Sequence, residues 1–548
     1  MHYLVNVRSM FKLAKYLNNC AKIERSLSTA AAAAATTTGT ASCPFQAAIG
    51  LNAPTKMVKV SNLSKQIGMP YEQIPTPSGI PIIGTLIDLF KAGGFGRLHL
   101  YCDRRHQVLG PIYKENLGTV EAVFVSDAKL IQKVFQNEGK YPKHLVPEPW
   151  IIYNQNKGIQ RGLFFMDGKD WSIRRRTMNK VFLMPQVFSE YGSSFDDIVS
   201  DMLINWDNKL EQNIQNNNKS ELLVNDLEKQ LYNLSIEAIG SMMFGRRMGC
   251  ISRGGDQTQH VDVQEFVKCV QQIFVQTCDM QLIPPKLAYA LRLPIWKRFE
   301  YAVDRSLELA AKFVEENARC TANGDSTNQG ILTKLINDGE IPIDEIGDII
   351  VDLFIAAADT TSHSAQWTIY LLAKNPHIQE NIYRELEKTT QGEPFRDRHL
   401  QNMPYMKGAI KEAMRLYPVA PFITRYLKED LNLAGYNIPK GKLVVVPTYT
   451  TGRKEEYFDE PSQFKPERWV RDKRTGKNQV TDGHATLPFG TGVRSCIGRR
   501  IAEVEIQHFI TKLIQNFKFE LANDEEVDIK LRMITTPDKP IDLIMRRR

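Results

Sequence analysis

The residues best placed to do chemistry lie in one short stretch near the end of the chain. Residues 489–498, here named the Cys loop, read Phe-Gly-Thr-Gly-Val-Arg-Ser-Cys-Ile-Gly. Cys496 stands between glycines, which permit tight turns and close approach of a flat ligand. The segment that follows, 499–519, carries apolar residues at helical spacing, and the free amides of a helix N-terminus favour negative charge on sulfur. The pattern predicts a metal-ligating thiolate, although a lone cysteine is more often a buried structural thiol.

A second candidate is a polar interruption inside a long apolar segment, 341–375. Helix signals stand at both of its ends, Pro342 with two acidic residues and Asn375-Pro376, so we expect one helix of roughly 50 Å. Within it, Ala-Ala-Ala-Asp-Thr-Thr at 356–361 places Asp359 and Thr360 after small residues. Such a violation of the apolar pattern is typical of functional sites. The plainer interpretation is a Thr360 hydroxyl that bonds one turn back and only bends the helix.

Two pairs of charged or polar residues have helical spacing. Trp171 and Arg175 are four residues apart, so both could point at one anionic group; a solvated basic helix with a core tryptophan is the alternative. Glu412 and Arg415 are three apart, which on most helices gives only a surface ion pair.

Composition limits the classes of function. The chain has 548 residues, 43% of them hydrophobic, which suits an ordinary folded core. The eight cysteines form no Cys-x-x-Cys pair, which argues against a zinc site or a disulfide framework. Of the net charge of +8, about +7 lies in residues 1–71. The remainder is near neutral, so a nucleic-acid-binding face is not expected.

The basic N-terminal region has the composition of a targeting segment. Basic and apolar residues alternate there, ahead of a Ser- and Ala-rich tract, as in a mitochondrial transit peptide. We assign residues 1–45 to this peptide, with the cleavage point anywhere from 25 to 55, and 46–73 to a linker. A membrane anchor would need about 20 consecutive apolar residues, which the segment does not contain. Proline-rich sequence at 74–84 then opens a large domain, 74–548.

The Cys loop has the spacing Phe-x-x-Gly-x-Arg-x-Cys-x-Gly and resembles the haem-binding signature of the cytochrome P450 family. The proline-rich opening, the Trp-x-x-x-Arg pair, the Asp-Thr pair and the Glu-x-x-Arg pair follow in that family's order. The resemblance implies a mainly α fold with a small β region, and the strand-like segments 110–126 and 432–447 suit the latter. It also implies a single large domain and a monooxygenase activity that uses O₂.

The resemblance assigns roles to the residues above. It implies haem b with Cys496 as axial thiolate, and Asp359 and Thr360 as donors of the protons that O₂ cleavage consumes. Other residues would contact the haem or its propionates: Trp171, Arg175, Arg425, Phe489, Arg494 and Gly498. Glu412, Arg415 and Arg468 would form a buried charge network, whose disruption should cost several kcal/mol.

Partners also follow from the resemblance. Lys407, Lys411, Arg499 and Arg500 resemble the residues on which mitochondrial members dock a two-iron ferredoxin, which an NADPH-dependent reductase supplies with electrons. The expected location is the matrix side of the inner mitochondrial membrane, with peripheral contact and no transmembrane helix.

The candidate cavity residues are apolar, which suits a large lipophilic ligand: Phe354, Ile355, Ala358, Val419, Phe422 and Ile534. The resemblance implies that this ligand is a steroid. The segments 146–150, 161–168 and 358–364 most resemble insect ecdysteroid 2-hydroxylases, which implies conversion of 2-deoxyecdysone to ecdysone. Hydroxylation at carbon 22 or 20 is the alternative within the family. A haem-thiolate sensor or a peroxide isomerase is the alternative of another class; the Asp-Thr pair argues against both.

Overall fold

The computed structural model describes residues 68–548 except 82, 119, 160–161, 184–185, 253–260, 282, 323–329, 473 and 481. The predicted transit peptide lies outside the described residues, as does the predicted linker up to residue 67. The domain was predicted to begin at Ile74, but the compact unit begins six residues earlier, at Gly68. It begins earlier because Tyr71 is buried and Met69 bridges to Tyr436, so the end of the predicted linker belongs to the fold.

Helices make up most of the described chain. Those before the central helix are α1 Leu86–Lys91, α2 Leu98–Leu109, α3 Ala128–Gln136, α4 Glu148–Lys157, α5 Gly162–Phe165, α6 Gly168–Phe182, α7 Gln186–Asn217, α8 Leu227–Phe244, α9 Val261–Asp279, α10 Pro285–Ala290, α11 Pro294–Ala322 and α12 Ile331–Asp338. The rest are α13 Ile343–Lys374, α14 Pro376–Thr390, α15 Asp397–Leu400, α16 Pro404–Leu416, α17 Thr448–Thr451 and α18 Arg499–Asn516.

The strands form small sheets. They are β1 Ile112–Leu117, β2 Val120–Val125, β3 Leu222–Val224, β4 Phe422–Tyr426, β5 Leu431–Leu433, β6 Tyr436–Ile438, β7 Leu443–Pro447, β8 Phe517–Leu521, β9 Ile529–Arg532, β10 Ile534–Pro537 and β11 Leu543–Arg547. The largest sheet has the order β1-β2-β7-β4, in which β2 and β7 run parallel and the other pairs antiparallel. The predicted mainly α fold with a small β region is therefore confirmed.

The two predicted long helices differ in how well their ends were placed. The central helix α13 begins just after Pro342 and ends before Asn375, close to the prediction. The segment after the Cys loop was predicted as helix to residue 519, but α18 ends at Asn516. From Phe517 the chain is strand β8, paired with β11, because Phe517 and Phe519 are buried on alternate positions of a sheet.

Helix α13 belongs to two separate hydrophobic clusters. Its residues from Ile346 to Ala358 pack into one cluster, and its residues from Ala365 to Ala373 pack into another. Helix α18 is shared in the same way, with Ile501 and Val504 in the first cluster and the residues from Ile506 onward in the second. The polar residues 359–364 thus lie between the part of α13 that belongs to the first cluster and the part that belongs to the second.

Candidate active site

The Cys loop is a tight turn that ends at a helix. The Cys496 amide donates to the Phe489 carbonyl at 2.8 Å, and the Ser495 amide donates to the Gly492 carbonyl at 3.1 Å. Gly490 and Gly492 have φ of +66° and +78°, which side chains rarely adopt, so glycine is needed at both positions. Gly498 is the N-cap of α18. The loop therefore presents Cys496 ahead of a helix N-terminus, as predicted.

The sulfur environment differs from the expectation in one respect. Cys496 is exposed, yet burial raises the pKa of its thiol, against the opposing effects of the Gly498 amide and the Arg175 and Arg499 charges. A side chain that is accessible and also surrounded by protein lines an internal space. Desolvation therefore disfavours the free thiolate more than these neighbouring groups favour it, and the charge of a bound cation would favour the ionised sulfur.

Helix α13 also borders accessible space. Ala356 is exposed although the residues before it are buried, and Ala357 and Ile497 pack against the same hydrophobic cluster. The Thr360 hydroxyl donates to the Ala356 carbonyl at 2.6 Å, which is the back-bonded geometry of the plainer interpretation. Burial raises the pKa of Asp359 to about 6, and its Oδ2 has no hydrogen-bond partner among the described residues. A carboxyl group with this pKa can both hold and release a proton near neutral pH.

Three of the predicted haem-contacting side chains meet at the Cys loop. Arg175, from α6, donates to the Ser495 carbonyl at 2.5 Å. The Arg494 guanidinium lies over the buried Trp171 ring, 4.1 Å from its centroid, and donates to the Met166 carbonyl and to the Asp167 carboxylate. Burial lowers the pKa of both arginines, and the nearby Arg425 and Arg175 charges lower the pKa of Arg494 further. The arrangement concentrates cationic donors beside the sulfur.

Arg425 has a partner that sequence reasoning missed, Glu138. The two form a buried ion pair, with Nε donating to Oε2 at 2.6 Å and both side chains under a tenth exposed. The other oxygen of Glu138 accepts from the Val493 amide at 2.9 Å, so one carboxylate holds both Arg425 and the Cys loop. Arg425 was predicted to bind a haem propionate. In the structure its guanidinium is already paired with the Glu138 carboxylate. No motif pointed to Glu138, because its role depends on a contact 355 positions away in the chain.

His144 was also missed. Its two ring nitrogens are buried and have no hydrogen-bond partner in the described part of the chain. The ring packs edge-on to Phe164, with centroids 4.7 Å apart. Burial and the nearby Arg494 and Arg425 charges lower the pKa of His144 to about 3, so the ring is neutral. Unsatisfied buried nitrogens next to two arginines are suited to an anionic ligand group.

The structure brings the predicted charge network together. Arg415 donates to both carboxylate oxygens of Glu412, at 2.7 and 2.9 Å, and Arg468 donates to Oε1 at 3.0 Å. Trp469 and the Lys465 amide complete the shell of the carboxylate. The side chains of Glu412 and Arg415 are fully buried. These hydrogen bonds therefore offset the free-energy cost of removing both charges from water.

A thiol on a glycine-rich loop, a central helix with a polar stretch and arginines around the loop are also found together in a known family. The family model for cytochrome P450 matches residues 74–545, nearly all of the described chain. The chain belongs to the cytochrome P450 family. This enzyme is accordingly a haem-thiolate monooxygenase, and the predicted family and activity are confirmed.

Relatives agree over most of their length. This P450 is 36% identical to "Cytochrome P450 315a1, mitochondrial" of Drosophila melanogaster, over 90% of this chain and 92% of the relative. It is 30% identical to the mitochondrial cholesterol side-chain cleavage enzyme of Oncorhynchus mykiss, over 85% and 88%. It is 29% identical to "Cytochrome P450 10" of Lymnaea stagnalis, over 93% and 91%.

The residues of this P450 fit a haem. The accessible sulfur of Cys496 suits an iron ligand. Arg175, Arg494 and the unsatisfied nitrogens of His144 surround the same loop, and cationic or N–H donors of this kind suit the two carboxylates of an iron tetrapyrrole.

Two of the six predicted cavity residues do not face accessible space. Phe354 is completely buried, and its ring packs against Phe244 and Phe266 in the core. Ala358 is also completely buried. Their place in the cavity stays a prediction, because the periodicity of a helix that is apolar on most sides does not show which side borders the cavity. Ala356 on the same helix is exposed, and Ile355, Val419, Phe422 and Ile534 each keep some accessible surface.

The four predicted docking cations include mutual neighbours. Lys407 lies close enough to Lys411 and Glu503 to feel their charges, and burial together with Lys411 lowers its pKa. Arg499 pairs with Glu503 at 3.1 Å, so an acid that was not anticipated lies within the basic surface. Arg500 is partly exposed. Across the residues that the structure describes, no helix has both the length and the apolarity to cross a bilayer.

Proposed function

We propose that this P450 is a mitochondrial steroid hydroxylase that converts 2-deoxyecdysone to ecdysone. The observation that carries the proposal is the 36% identity, over nine tenths of the chain, to a mitochondrial P450 of an insect. Relatives named as mitochondrial cholesterol side-chain cleavage enzymes support a sterol skeleton as substrate class. The choice of carbon 2 rests on the resemblance of segments 146–150, 161–168 and 358–364 to ecdysteroid 2-hydroxylases, with carbons 22 and 20 as alternatives. Arg161, within one of these segments, lies outside the described residues.

Cys496 would hold haem b, and Trp171, Arg175, Arg494 and His144 would contact its carboxylates. When bound, the haem supplies O₂ activation and insertion of one oxygen atom into a C–H bond. The protein supplies the protons. Asp359, whose pKa is about 6, releases a proton toward the haem site, and the Thr360 hydroxyl positions that proton. Phe489 and Gly498 would border the haem as parts of the Cys loop.

The substrate would enter an apolar cavity bordered by Ile355, Ala356, Val419, Phe422 and Ile534. Most of these side chains are hydrocarbon, so a steroid would be held mainly by burial of its apolar surface and by few polar contacts. Such a cavity orients a rigid ring system by shape.

Electrons would come from a two-iron ferredoxin and its NADPH-dependent reductase, at the matrix side of the inner mitochondrial membrane. The basic surface formed by Lys407, Lys411, Arg499 and Arg500 suits an acidic partner, and such docking weakens as salt is raised. Residues 1–45 would serve as the transit peptide.

Reconstitution with ferredoxin and reductase tests the proposal. The purified enzyme should convert 2-deoxyecdysone to ecdysone, with NADPH and O₂ consumed in proportion to product. Parallel reactions should offer precursors that lack the hydroxyl at carbon 22 or carbon 20 but carry the one at carbon 2. Turnover of only those precursors would overturn the regiochemistry and leave the monooxygenase assignment intact. Turnover without O₂ or reductant would indicate an isomerase.

A further inference from the structure

Helices α8 and α13 bring four titratable side chains together, one of which is Asp359. Glu228 and Tyr232 are one turn apart on α8, and Asp359 and His363 are one turn apart on α13, so each pair shares one helix face. The two helices pack directly on each other. Sequence reasoning singled out Asp359 but gave no role to the other three.

The imidazole of His363 lies between Glu228 and Asp359. Its Nδ1 donates to the backbone carbonyl of Asp359 at 2.7 Å, so Nδ1 carries a proton on the side of that residue. Its Nε2 lies 3.7 Å from Oε1 of Glu228, too far for a hydrogen bond but within reach of a small side-chain rotation. The ring therefore has one nitrogen toward each carboxylate-bearing residue.

The cluster runs from solvent to the interior. The Glu228 side chain is 62% exposed and that of His363 only 4%. Further in, the Asp359 Oδ2, the His363 Nε2 and the Tyr232 hydroxyl are buried and have no hydrogen-bond partner among the residues described. Three unsatisfied polar atoms inside one packed helix pair are costly to stability, which favours a functional reason for their retention.

The charges support proton uptake along this line. Burial disfavours a charged His363, but Glu228 and both the carbonyl and the carboxylate of Asp359 outweigh it and raise the pKa of His363. His363 in turn lowers the pKa of Glu228 and opposes the burial that raises the pKa of Asp359. Among the described residues, Arg532 of β9 also acts on Glu228, Cys250 acts on Tyr232, and Cys278 of α9 lies close enough to feel the charge of Asp359.

We propose that Glu228 and His363 form the solvent end of the path by which protons reach Asp359. This inference rests on the proposed role of Asp359. Glu228 delivers a proton to Nε2 of His363. Because Nδ1–H is bonded to the Asp359 carbonyl, a side-chain rotation breaks that hydrogen bond before the imidazolium releases a proton to the Asp359 carboxylate, and the reverse rotation restores it. Each turnover takes up two protons and two ferredoxin electrons with O₂ and substrate, and yields one hydroxylated product and one water.

The test uses the full chain carrying its haem and compares His363→Gln, Glu228→Gln and Asp359→Asn. Glu429→Gln is the matched control, an exposed glutamate between β4 and β5. The first readout is the infrared titration of the Asp359 carboxyl band, identified by its loss in Asp359→Asn. Removal of the imidazolium in His363→Gln should move the midpoint of this titration to higher pH. This measurement needs no turnover and so does not depend on the identity of the steroid.

The second readout is turnover of 2-deoxyecdysone in H₂O and D₂O. His363→Gln should lower product per NADPH by at least about tenfold, raise peroxide release and increase the solvent isotope effect. Glu228→Gln should change the same quantities less, and Glu429→Gln should not change them. An unshifted carboxyl titration together with an unchanged isotope effect in His363→Gln would overturn the relay. If Asp359→Asn also turns over at the full rate, the proposed role of Asp359 is wrong as well; if Asp359→Asn is slow and His363→Gln is not, only the relay is wrong.

Discussion

Replacing Gly492 by alanine should release the Cys loop from the buried pair formed by Glu138 and Arg425. A Cβ at Gly492 would lie 1.9 Å from Oε1 of Glu138, which is far inside contact distance. The carboxylate is 5% exposed and is held by Arg425 and by the Val493 amide, so it cannot simply swing away into water. Gly490 supplies the matched control: its φ is also positive, but a Cβ there would meet only the Ser495 Cα, at an ordinary 3.9 Å.

The magnitudes separate the two variants. Placing alanine at a left-handed φ costs about 1–2 kcal/mol, and this cost applies to both glycines. Breaking a buried ion pair costs about 3–5 kcal/mol, and this applies to Gly492→Ala alone. We therefore expect a destabilisation of about 4–7 kcal/mol for Gly492→Ala against about 1–2 kcal/mol for Gly490→Ala. The larger loss is comparable to the whole stability of an ordinary domain.

Urea unfolding of the haem-loaded proteins measures these differences, and the carbon monoxide spectrum reports whether the thiolate is still bound to iron. Gly492→Ala should unfold at much lower urea and lose the thiolate-type spectrum earlier than Gly490→Ala. A double-mutant cycle with Glu138→Ser isolates the clash: once the carboxylate is gone, Gly492→Ala should add only the backbone cost. Equal destabilisation by the two alanines in the parent background would refute the role assigned to Glu138.

Cys496→Ala should abolish the thiolate-type carbon monoxide spectrum, and an unchanged spectrum would contradict the ligand assignment. Charge reversal of Lys407 and Lys411 to glutamate should slow ferredoxin-driven reduction by about tenfold at low salt, with chemical reduction by dithionite as the control that stays unchanged; intact ferredoxin-driven reduction would exclude this surface. Burial raises the pKa of Glu505 from 4.5 to about 8, with only a bond from the Ser235 hydroxyl opposing it. Because the folded state then binds more protons than the unfolded state, stability should fall as pH rises from about 4.5 to 8, and Glu505→Gln should gain most over the parent at the upper end; a stability difference that is the same at pH 5 and pH 8 would contradict this.

Features defined by local sequence were placed well. The Cys loop and the ends of α13 depend on glycine, proline and acidic residues within a few positions of one another, so their signals are complete in the sequence. The end of α18 was misplaced because Phe517 continues the helical spacing of Leu513, whereas Phe517 and Phe519 together alternate as in a strand, and pairing with β11 decides for the strand. Pairing with a distant strand overrides local propensity.

Features that depend on contacts between distant parts of the chain could not be predicted from the sequence. Glu138 stabilises the Cys loop only because β4 brings Arg425 next to it, and neither residue signals the other in sequence. The same limit applies to Phe354 and Ala358: the composition of α13 shows that one side borders a cavity, but packing of Phe244 and Phe266 against the helix decides which side. A helix that is buried on almost all sides carries too little polarity to mark its functional face.

The polar stretch of α13 shows why a single motif can be found while its surroundings cannot. Asp359 and Thr360 stand out because they interrupt an apolar helix, but His363 follows one turn later in a run of hydroxyl-bearing residues and has no distinguishing neighbour in sequence. Its importance arises from α8, which places Glu228 3.7 Å from it and Tyr232 beside Asp359. Two of the three unsatisfied buried polar atoms, on Asp359 and His363, lie between the parts of α13 that belong to the two hydrophobic clusters. A proton path there would pass between the two clusters and connect solvent to the polar stretch of α13.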